Sequence, residues 1–323
     1  MFHYEFHPAK AVAFDEETLT IEDEYSRRTV ALLQHDATAS LLHAAMADPS
    51  TANAAMRKLL DALVERHVII ERHPHVEVDE RQSRSLGYLA TRSKAPQLAQ
   101  QQIGDQRVLV LGVGGTGTVL IQHLVAAGVR RFVLVDHDAV ELSNFNRQFL
   151  WRTSDVGAAK LDTTKAWISE RVEDADIQTV DRRISSESDV ALLLGEYPSV
   201  TVVASCIDSP AGIEQQVVTA CLSAGLPVMT GAVGVDLGHV GPFFSPRQTV
   251  CLACWYGSRA AKQAVTPWSH GVTNTLVGAL MAQRVLDWAV APDTDSEPNR
   301  MTLEFDSLTI HRSLARDCAH HDA

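Results

Sequence analysis

Four glycines lie close together in a six-residue segment with the sequence Gly-Val-Gly-Gly-Thr-Gly. They are Gly112, Gly114, Gly115 and Gly117. The β-rich run Val108–Leu111 precedes them, and an apolar helical pattern over Thr118–Ala127 follows. Glycine lets the backbone approach a phosphate closely, and the start of a helix offers unpaired amides. The segment therefore indicates a phosphate site, although a tight turn that only packs a helix on a strand would use the same glycines.

Two aspartates follow the next predicted strand, Phe132–Val135. Asp136 ends that strand about 20 residues beyond the glycine loop, where a carboxylate can accept hydrogen bonds from ribose hydroxyls. Asp138 is assigned to the same site because it lies two residues further on. With the glycine loop, these aspartates predict a mononucleotide or dinucleotide site and do not distinguish the two.

A cluster of amide and guanidinium side chains comes next along the chain. Asn144, Arg147 and Gln148 suit contacts with a triphosphate and with metal-bound water, whereas a nicotinamide enzyme has no need of them here. This stretch resembles the ubiquitin-activating-enzyme superfamily in its bacterial ThiF/MoeB branch, and the resemblance covers the chain from about Arg81 onward. An oxidoreductase alternative rests on the glycine loop alone.

The resemblance implies specific contacts with ATP and Mg²⁺. Lys160 matches the family lysine that holds the triphosphate and stabilises charge during transfer. Asp208 matches the aspartate that coordinates Mg²⁺ beside the α-phosphate. The resemblance also implies that Asp136 binds the ribose and that the phosphates are lined by Asn144, Arg147 and Gln148.

Arg84 resembles the arginine that a partner subunit donates to the phosphates in trans, so a homodimer is also implied. Each of Arg84, Arg147 and Lys160 alone could be an ordinary surface charge, but they occur in the family's order. The implied reaction is attack of a carboxylate oxygen on the α-phosphorus with departure of pyrophosphate. No general base is needed, because the nucleophile is already an anion.

Cysteine and histidine spacing predicts a structural zinc site. The hook Cys251-Leu-Ala-Cys254 supplies two thiolates, and Cys318 with His321 supplies the other half of a tetrahedral Cys₃His set. The family usually has cysteine at the fourth position, and His320 could be the ligand in place of His321. The alternative is a buried cysteine pair with a histidine-rich tail that binds no metal.

Thioester-forming members of the superfamily carry a cysteine in the loop after the first zinc hook. The corresponding residues, Tyr256–Asn274, contain none. Cys206 and Cys221 lie in apolar surroundings and are expected to be packed within or beside the sheet. The chemistry should therefore stop at the acyl adenylate or pass to a nucleophile of the substrate.

Length and composition bound these assignments. The 323 residues allow one large domain and a smaller one, and a net charge of −12 argues against a nucleic-acid partner. No run of 18 or more apolar residues appears, and the first residues lack the layout of a secretory signal. We therefore expect a cytoplasmic protein with no membrane association and no disulfides.

Three segments differ in character. Residues 1–75 contain short strand patterns, two helical patterns and a closing strand, which predict a winged-helix-like module. Residues 76–105 are polar and predict a linker with an exposed helix. Residues 106–323 alternate strands and helices, which predicts an α/β domain with a doubly wound, mostly parallel, Rossmann-like sheet.

The N-terminal module bears on what is activated. Its layout resembles the leader-recognition element of ribosomal-peptide modification enzymes, which binds an extended peptide at a sheet edge. We expect an enzyme like those of microcin-type and pantocin-type antibiotic biosynthesis, which adenylates a carboxyl of a leader-bound precursor peptide. Cyclisation, dehydration or nucleotide conjugation would follow. The alternatives are activation of a sulfur carrier for thiamin or molybdopterin synthesis, a non-catalytic peptide-binding scaffold, and a module that serves only packing or dimerisation.

Overall fold

The computed structural model describes residues 2–14, 18–22, 27–31, 39–247, 252–257, 268–292 and 299–314. The chain divides into two compact units, Met1–Ile103 and Gly104–Ala323. Each unit encloses a hydrophobic core of its own.

Short antiparallel sheets and helices make up the described part of the N-terminal unit. Its strands are β1 (His3–Phe6), β2 (Ala11–Phe14), β3 (Thr18–Glu22), β4 (Arg27–Ala31) and β5 (Ile69–Arg72). Its helices are α1 (Ala39–Ala47), α2 (Ala54–Glu65), α3 (Ser85–Leu89) and α4 (Pro96–Gly104). Strand β1 pairs with β5, and β3 lies between β2 and β4.

The core of this unit follows directly from sequence periodicity. Leu19 and Ile21 alternate along β3 and are buried, as expected for a strand with one face covered. Helix α2 buries Met56, Leu60 and Leu63 at helical spacing, and the side chain of its N-cap residue Asn53 accepts a hydrogen bond from Met56 N at 2.9 Å. The winged-helix assignment remains a prediction.

Helix α4 is not the exposed helix expected between residues 76 and 105. Its residues Gln97 and Gln100 are buried, at 3% and 8% exposure. Gln97 Oε1 accepts a hydrogen bond from His73 N at 2.7 Å, and its Nε2 donates to Val76 O at 3.1 Å. Gln97 can be buried in this way because its side-chain amide bonds to backbone groups of the preceding loop.

An eight-stranded sheet organises the C-terminal unit, in the order β13-β12-β11-β10-β9-β6-β7-β8. The strands are β6 (Arg107–Leu111), β7 (Arg131–Asp136), β8 (Asp176–Asp181), β9 (Val202–Ser205), β10 (Val228–Val233), β11 (Leu237–Phe244), β12 (Asn299–Glu304) and β13 (Thr309–Leu314). The helices are α5 (Gly115–Ala126), α6 (Lys160–Ser169), α7 (Glu187–Glu196), α8 (Ile213–Ser223), α9 (Leu252–Tyr256) and α10 (Gly271–Val290).

The five strands β10, β9, β6, β7 and β8 run parallel, and β11 to β13 extend the sheet in antiparallel pairs. Leu111 at the end of β6 lies opposite Val135 of β7 on one side and Ser205 of β9 on the other. The α/β fold with a mostly parallel sheet is therefore confirmed. The order reverses between β6 and β9, and a crevice beyond the carboxyl ends of the strands at such a point is where open α/β sheets bind ligands.

The middle strands of this sheet are apolar and are covered on both faces. Leu109, Val133 and Val203, from three neighbouring strands, are fully buried. Helix α10 packs closely on α5, since a Cβ atom placed on Gly278 would lie 2.7 Å from the carbonyl oxygen of Thr116. Among the described helices, none is long and apolar enough to cross a membrane.

Candidate active site

The glycine loop connects β6 to α5 in a conformation that requires glycine. Gly112 has a positive φ of 90°, and a Cβ atom there would lie 2.9 Å from Ile207 Cγ2. A Cβ atom on Gly117 would overlap the carbonyl oxygen of Gly112. Gly114 has no atom within 4 Å of the corresponding position and caps α5 without a side-chain hydrogen bond. The backbone at Gly114 therefore faces open space at the positive end of the helix.

Asp136 fixes this loop to the end of β7. Its Oδ2 accepts a hydrogen bond from Val113 N at 2.6 Å, and its Oδ1 accepts from His137 N at 2.8 Å and from Asp138 N at 2.9 Å. The residue is 8% exposed. The carboxylate predicted to bind ribose thus also holds the glycine loop in place.

Lys160 begins helix α6 and reaches back to Asp138. Its Nζ lies 2.7 Å from Asp138 Oδ2, and its backbone amide donates to Asp138 O at 3.0 Å. Burial alone would raise the pKa of the Asp138 carboxyl, but the hydrogen bond and charge of Lys160, with His137 and Arg183, hold that pKa below its usual range. The lysine side chain is 7% exposed, so a nearly buried ammonium group stands beside the glycine loop.

These elements line an open cleft with a volume of about 230 Å³. Asp208, three residues beyond the end of β9, is exposed and lines this cleft. The lining residues are Gly112, Gly114, Val135, Asp136, His137, Asp138, Lys160, Arg182, Arg183, Ile184, Cys206, Ile207, Asp208 and Ser209. The structure therefore brings two of the loop glycines into one cleft with Asp136, Asp138, Lys160 and Asp208.

Arg182, Arg183 and Ile184 line the cleft but were not predicted. They follow β8, whose carboxyl end lies beside that of β7, and Arg182 N donates to Asp136 O at 3.1 Å. The Arg182 guanidinium pairs with Glu196 at 3.1 Å through Nη2, whereas its buried Nη1 has no hydrogen-bond partner among the described residues. The pairing of β8 with β7 places these residues at the cleft, so a sequence prediction that included β8 would have identified them.

The cleft has a polar side and an apolar side. Val135 and Ile184 are buried, and Ile207 is half-buried beside Gly112. An apolar surface beside an arginine suits a flat heteroaromatic base, and the loop amides with Lys160 suit phosphates. The donor set therefore fits a nucleoside triphosphate.

Carboxylates in the cleft offer oxygen ligands to a hard cation. Asp136, His137 and Asp138 each offer a ligand atom within 4.8 Å of the others, but both oxygens of Asp136 accept backbone hydrogen bonds. Asp208 is exposed and lies in the same cleft. Oxygen donors at the open side of a phosphate site match the preference of Mg²⁺.

Three predicted phosphate ligands do not line this cleft. Asn144 Oδ1 accepts from Glu141 N at 3.0 Å, and Gln148 Oε1 accepts from Trp151 Nε1 at 2.7 Å, so both amides serve the local fold. Arg147 is half-buried, and its Nη1 donates to Ser143 O and Asn146 Oδ1, both at 2.8 Å. Its Cγ nevertheless lies 3.2 Å from a Cβ position on Gly115 of the loop.

The remaining predicted residues cannot be placed in this cleft. Arg84 is an exposed residue of the N-terminal unit. Cys251, Cys318, His320 and His321 lie outside the described residues, as does the side chain of Cys254, although its backbone belongs to α9. The zinc site therefore stays a prediction.

Two described thiols are unreactive by their surroundings. Burial raises the pKa of both Cys206 and Cys221 to about 12. A thiol with so high a pKa carries almost no thiolate at neutral pH. Cys221 is buried as expected, on helix α8 in the same core cluster as Val203 and Val228 of the sheet, and Cys206 lines the cleft as a protonated, half-buried group.

Comparison with known proteins identifies similar chains. The model of the ThiF family matches residues 88–322. Molybdopterin-synthase adenylyltransferase of Salmonella typhimurium is 28% identical over 188 residues, which are 58% of this chain and 73% of that protein. Sulfur carrier protein ThiS adenylyltransferase of Escherichia coli is 29% identical over 190 residues, 58% of this chain and 72% of that protein.

Solved structures resemble the chain over nearly its whole length. Escherichia coli MccB with ATP superposes with a TM-score of 0.73 at 21% identity, covering 99% of each chain. The same enzyme with MccA-N7isoASN gives 0.74 at 20% identity over 99% of each chain. PaaA gives 0.67 at 18% identity over 95% of this chain and 98% of its own. At these identities the likeness concerns the fold.

Proposed function

This chain belongs to the ThiF family and is an adenylyltransferase, and we propose that it adenylates a carboxylate on a ribosomally made precursor peptide. One observation carries the choice of substrate. The family model begins at residue 88, whereas the likeness to MccB, solved with MccA, includes the N-terminal unit and covers 99% of each chain. A sulfur-carrier enzyme has no evident use for the extra unit.

We assign the cleft to ATP. The exposed backbone at Gly114 and the start of α5 would receive the phosphates, and Lys160 would neutralise them. The apolar surface of Ile184 and Ile207 would face the base, in the part of the cleft that Arg182 also lines. Asp136 and Asp138 would lie toward the ribose.

Asp208 would hold Mg²⁺, which supplies positive charge to the phosphate oxygens when bound. The residues of the chain then divide the remaining work. Lys160 already stands 2.7 Å from Asp138, so it is oriented before ATP arrives. The incoming peptide carboxylate attacks the α-phosphorus, the bond to the pyrophosphate oxygen breaks, and the acyl adenylate and pyrophosphate are the products. The first step transfers no proton.

The segment after β7 would supply one more phosphate contact, through Arg147, with Asn144 and Gln148 in a supporting role. Arg147 contacts the glycine loop at Gly115, and only its Nη1 is committed to Ser143 and Asn146 in the bonds described above. Its other N–H groups can serve a phosphate. Asn144 and Gln148 hold the segment that presents it. Arg84 acting in trans within a homodimer also remains part of the proposal.

The N-terminal unit would bind the leader of the peptide. In its three-stranded sheet, β2 and β4 are the outer strands, and an extended peptide can add to such an edge through main-chain hydrogen bonds. Binding energy from the leader would then support reaction of a weakly held core peptide. Cyclisation, dehydration or nucleotide conjugation would follow in an antibiotic-type pathway, in the cytoplasm, with zinc as a structural staple.

A sulfur carrier is the second candidate substrate, because one of the relatives described above is a sulfur carrier protein ThiS adenylyltransferase. The scaffold alternative is disfavoured by the cleft, which retains the glycine loop, the Lys160–Asp138 pair and Asp208.

Exchange of labelled pyrophosphate into ATP tests the proposal. A leader-bearing precursor peptide should stimulate exchange, and a Gly-Gly-tailed sulfur carrier should not; the reverse result would establish the second candidate. Asp208→Ala should abolish exchange while peptide affinity is unchanged. Asp174→Asn, at an exposed carboxylate paired with Arg130, serves as the matched control. Full turnover by Asp208→Ala would refute the magnesium assignment.

A further inference from the structure

A chain of polar side chains joins α10 to the glycine-loop helix α5. Asn274 lies in the first turn of α10 and is 4% exposed. Its Oδ1 accepts a hydrogen bond from Thr116 Oγ1 at 3.2 Å. Its Nδ2 donates to Ser269 Oγ and to His270 O, both at 2.7 Å. Both donor hydrogens and the acceptor oxygen of this buried amide are thus in use.

The same chain of bonds continues to Arg147. Ser269 O accepts from Asn146 Nδ2 at 2.8 Å, and Asn146 Oδ1 accepts from Arg147 Nη1 at 2.8 Å. Backbone packing supports this junction, because a Cβ atom on Gly271 would lie 2.5 Å from Asn146 O. The start of α10 is therefore fixed against the segment that carries the arginine.

Gly115 lies beside both ends of this series of hydrogen bonds, Asn274 and Arg147. A Cβ atom there would overlap the side-chain amide of Asn274 and would lie 3.2 Å from Arg147 Cγ. The loop glycine, Asn274 and Arg147 therefore form one packed group, and the position of any one of them constrains the other two. Residues distant in sequence come together here, since 158 positions separate Thr116 from Asn274.

We propose that Asn274 is a positioning residue for the nucleotide, which holds Arg147 in place beside the glycine loop before ATP binds. This inference rests on the assignment of Arg147 to the phosphates. An arginine that is not held loses rotamer freedom when it binds, and removal of the constraint should weaken nucleotide affinity roughly three- to tenfold. The loss should depend on Arg147, because Asn274 acts through it.

Calorimetric titration of the full-length chain with a non-hydrolysable ATP analogue and Mg²⁺ tests this role. The variants are Asn274→Ala, Arg147→Ala and the double variant. Thr275→Val is the matched control, since it removes only a hydrogen bond within α10, from Thr275 Oγ1 to Gly271 O at 2.9 Å. Titration separates the Kd from the stoichiometry, so misfolded protein lowers the stoichiometry and leaves the Kd of the folded fraction unchanged.

We expect Asn274→Ala to raise the Kd roughly three- to tenfold at normal stoichiometry and to have no further effect in the Arg147→Ala background. An unchanged Kd, or additive losses, would overturn the inference. If Asn274→Ala does not fold, Thr116→Val enters the same cycle with the same criteria. A wild-type protein that binds the analogue but adenylates no peptide refutes the proposed substrate alone, because the binding cycle still decides the role of Asn274.

Discussion

Replacement of Lys160 by methionine should separate its catalytic role from its structural one. Methionine has a similar length and keeps the packing of the aliphatic stem, but it removes the ammonium group that lies 2.7 Å from Asp138 Oδ2. The lysine side chain is 7% exposed and the Asp138 side chain is 52% exposed, so the carboxylate left behind is still hydrated. We therefore expect the chain to fold with one cation fewer in the cleft.

The expected cost in stability is small. An ion pair with one solvated partner contributes only about 0.2–1 kcal/mol to the free energy of unfolding. Because Asp138 has a lowered pKa in the folded chain, its contribution is present above the ordinary value of 3.8 and is lost as the pH falls through the folded value. The wild type and Lys160→Met should therefore differ in urea unfolding at pH 7 and converge well below pH 4.

The expected cost in rate is large. Loss of one preorganised group that stabilises transition-state charge lowers kcat by about 10²- to 10³-fold, which corresponds to about 2.7–4 kcal/mol. Pyrophosphate exchange in the presence of peptide measures this loss. Lys165→Met, at an exposed position on the same helix α6, is the matched control and should retain wild-type exchange. A kcat within threefold of wild type for Lys160→Met, with normal folding, would refute the assigned role.

Three further predictions concern the glycine loop, Cys206 and the N-terminal unit. Gly117→Ala should lower the thermal midpoint of unfolding strongly, because the new methyl group overlaps the Gly112 carbonyl. In Gly114→Ala the methyl group meets no atom within 4 Å, so this variant should unfold like wild type while binding ATP more weakly. Equal midpoints for the two variants would contradict the loop geometry. Cys206 should resist alkylation at pH 7 in the folded chain, because burial raises its pKa to about 12, and peptide mapping that finds it modified quickly would show a different environment. A precursor peptide without its leader should bind at least about tenfold more weakly by fluorescence anisotropy, and equal affinity would move recognition away from the N-terminal unit.

The central features of the nucleotide cleft could be predicted because they are local. The strand before the glycine loop, the loop itself and Asp136 all lie within residues 107–136, in a strand–loop–helix–strand unit, and such a unit has one common geometry. Lys160 and Asp208 followed from resemblance to a family, and the structure brings both to the same cleft.

Other features depend on contacts that a linear pattern does not contain. Strand β8 has a weak apolar signal because it lies at the edge of the sheet with only two of its six residues buried, and Arg182 to Ile184 were missed with it. Asn274 gains its place only when α10 packs on α5. The buried face of α4 was missed for a related reason, since Gln97 is polar in sequence but bonds to the backbone of residues 73 and 76.

In the proposed reaction, a peptide carboxylate attacks the α-phosphorus of ATP in this cleft. The most direct test of this step is to label the carboxylates of the precursor peptide with ¹⁸O and to analyse the AMP released during turnover by mass spectrometry. Attack through the carboxylate, followed by displacement at its carbonyl carbon, predicts one ¹⁸O atom in the phosphate of each AMP. AMP that carries no label would contradict the account, because an acyl adenylate cannot then have formed.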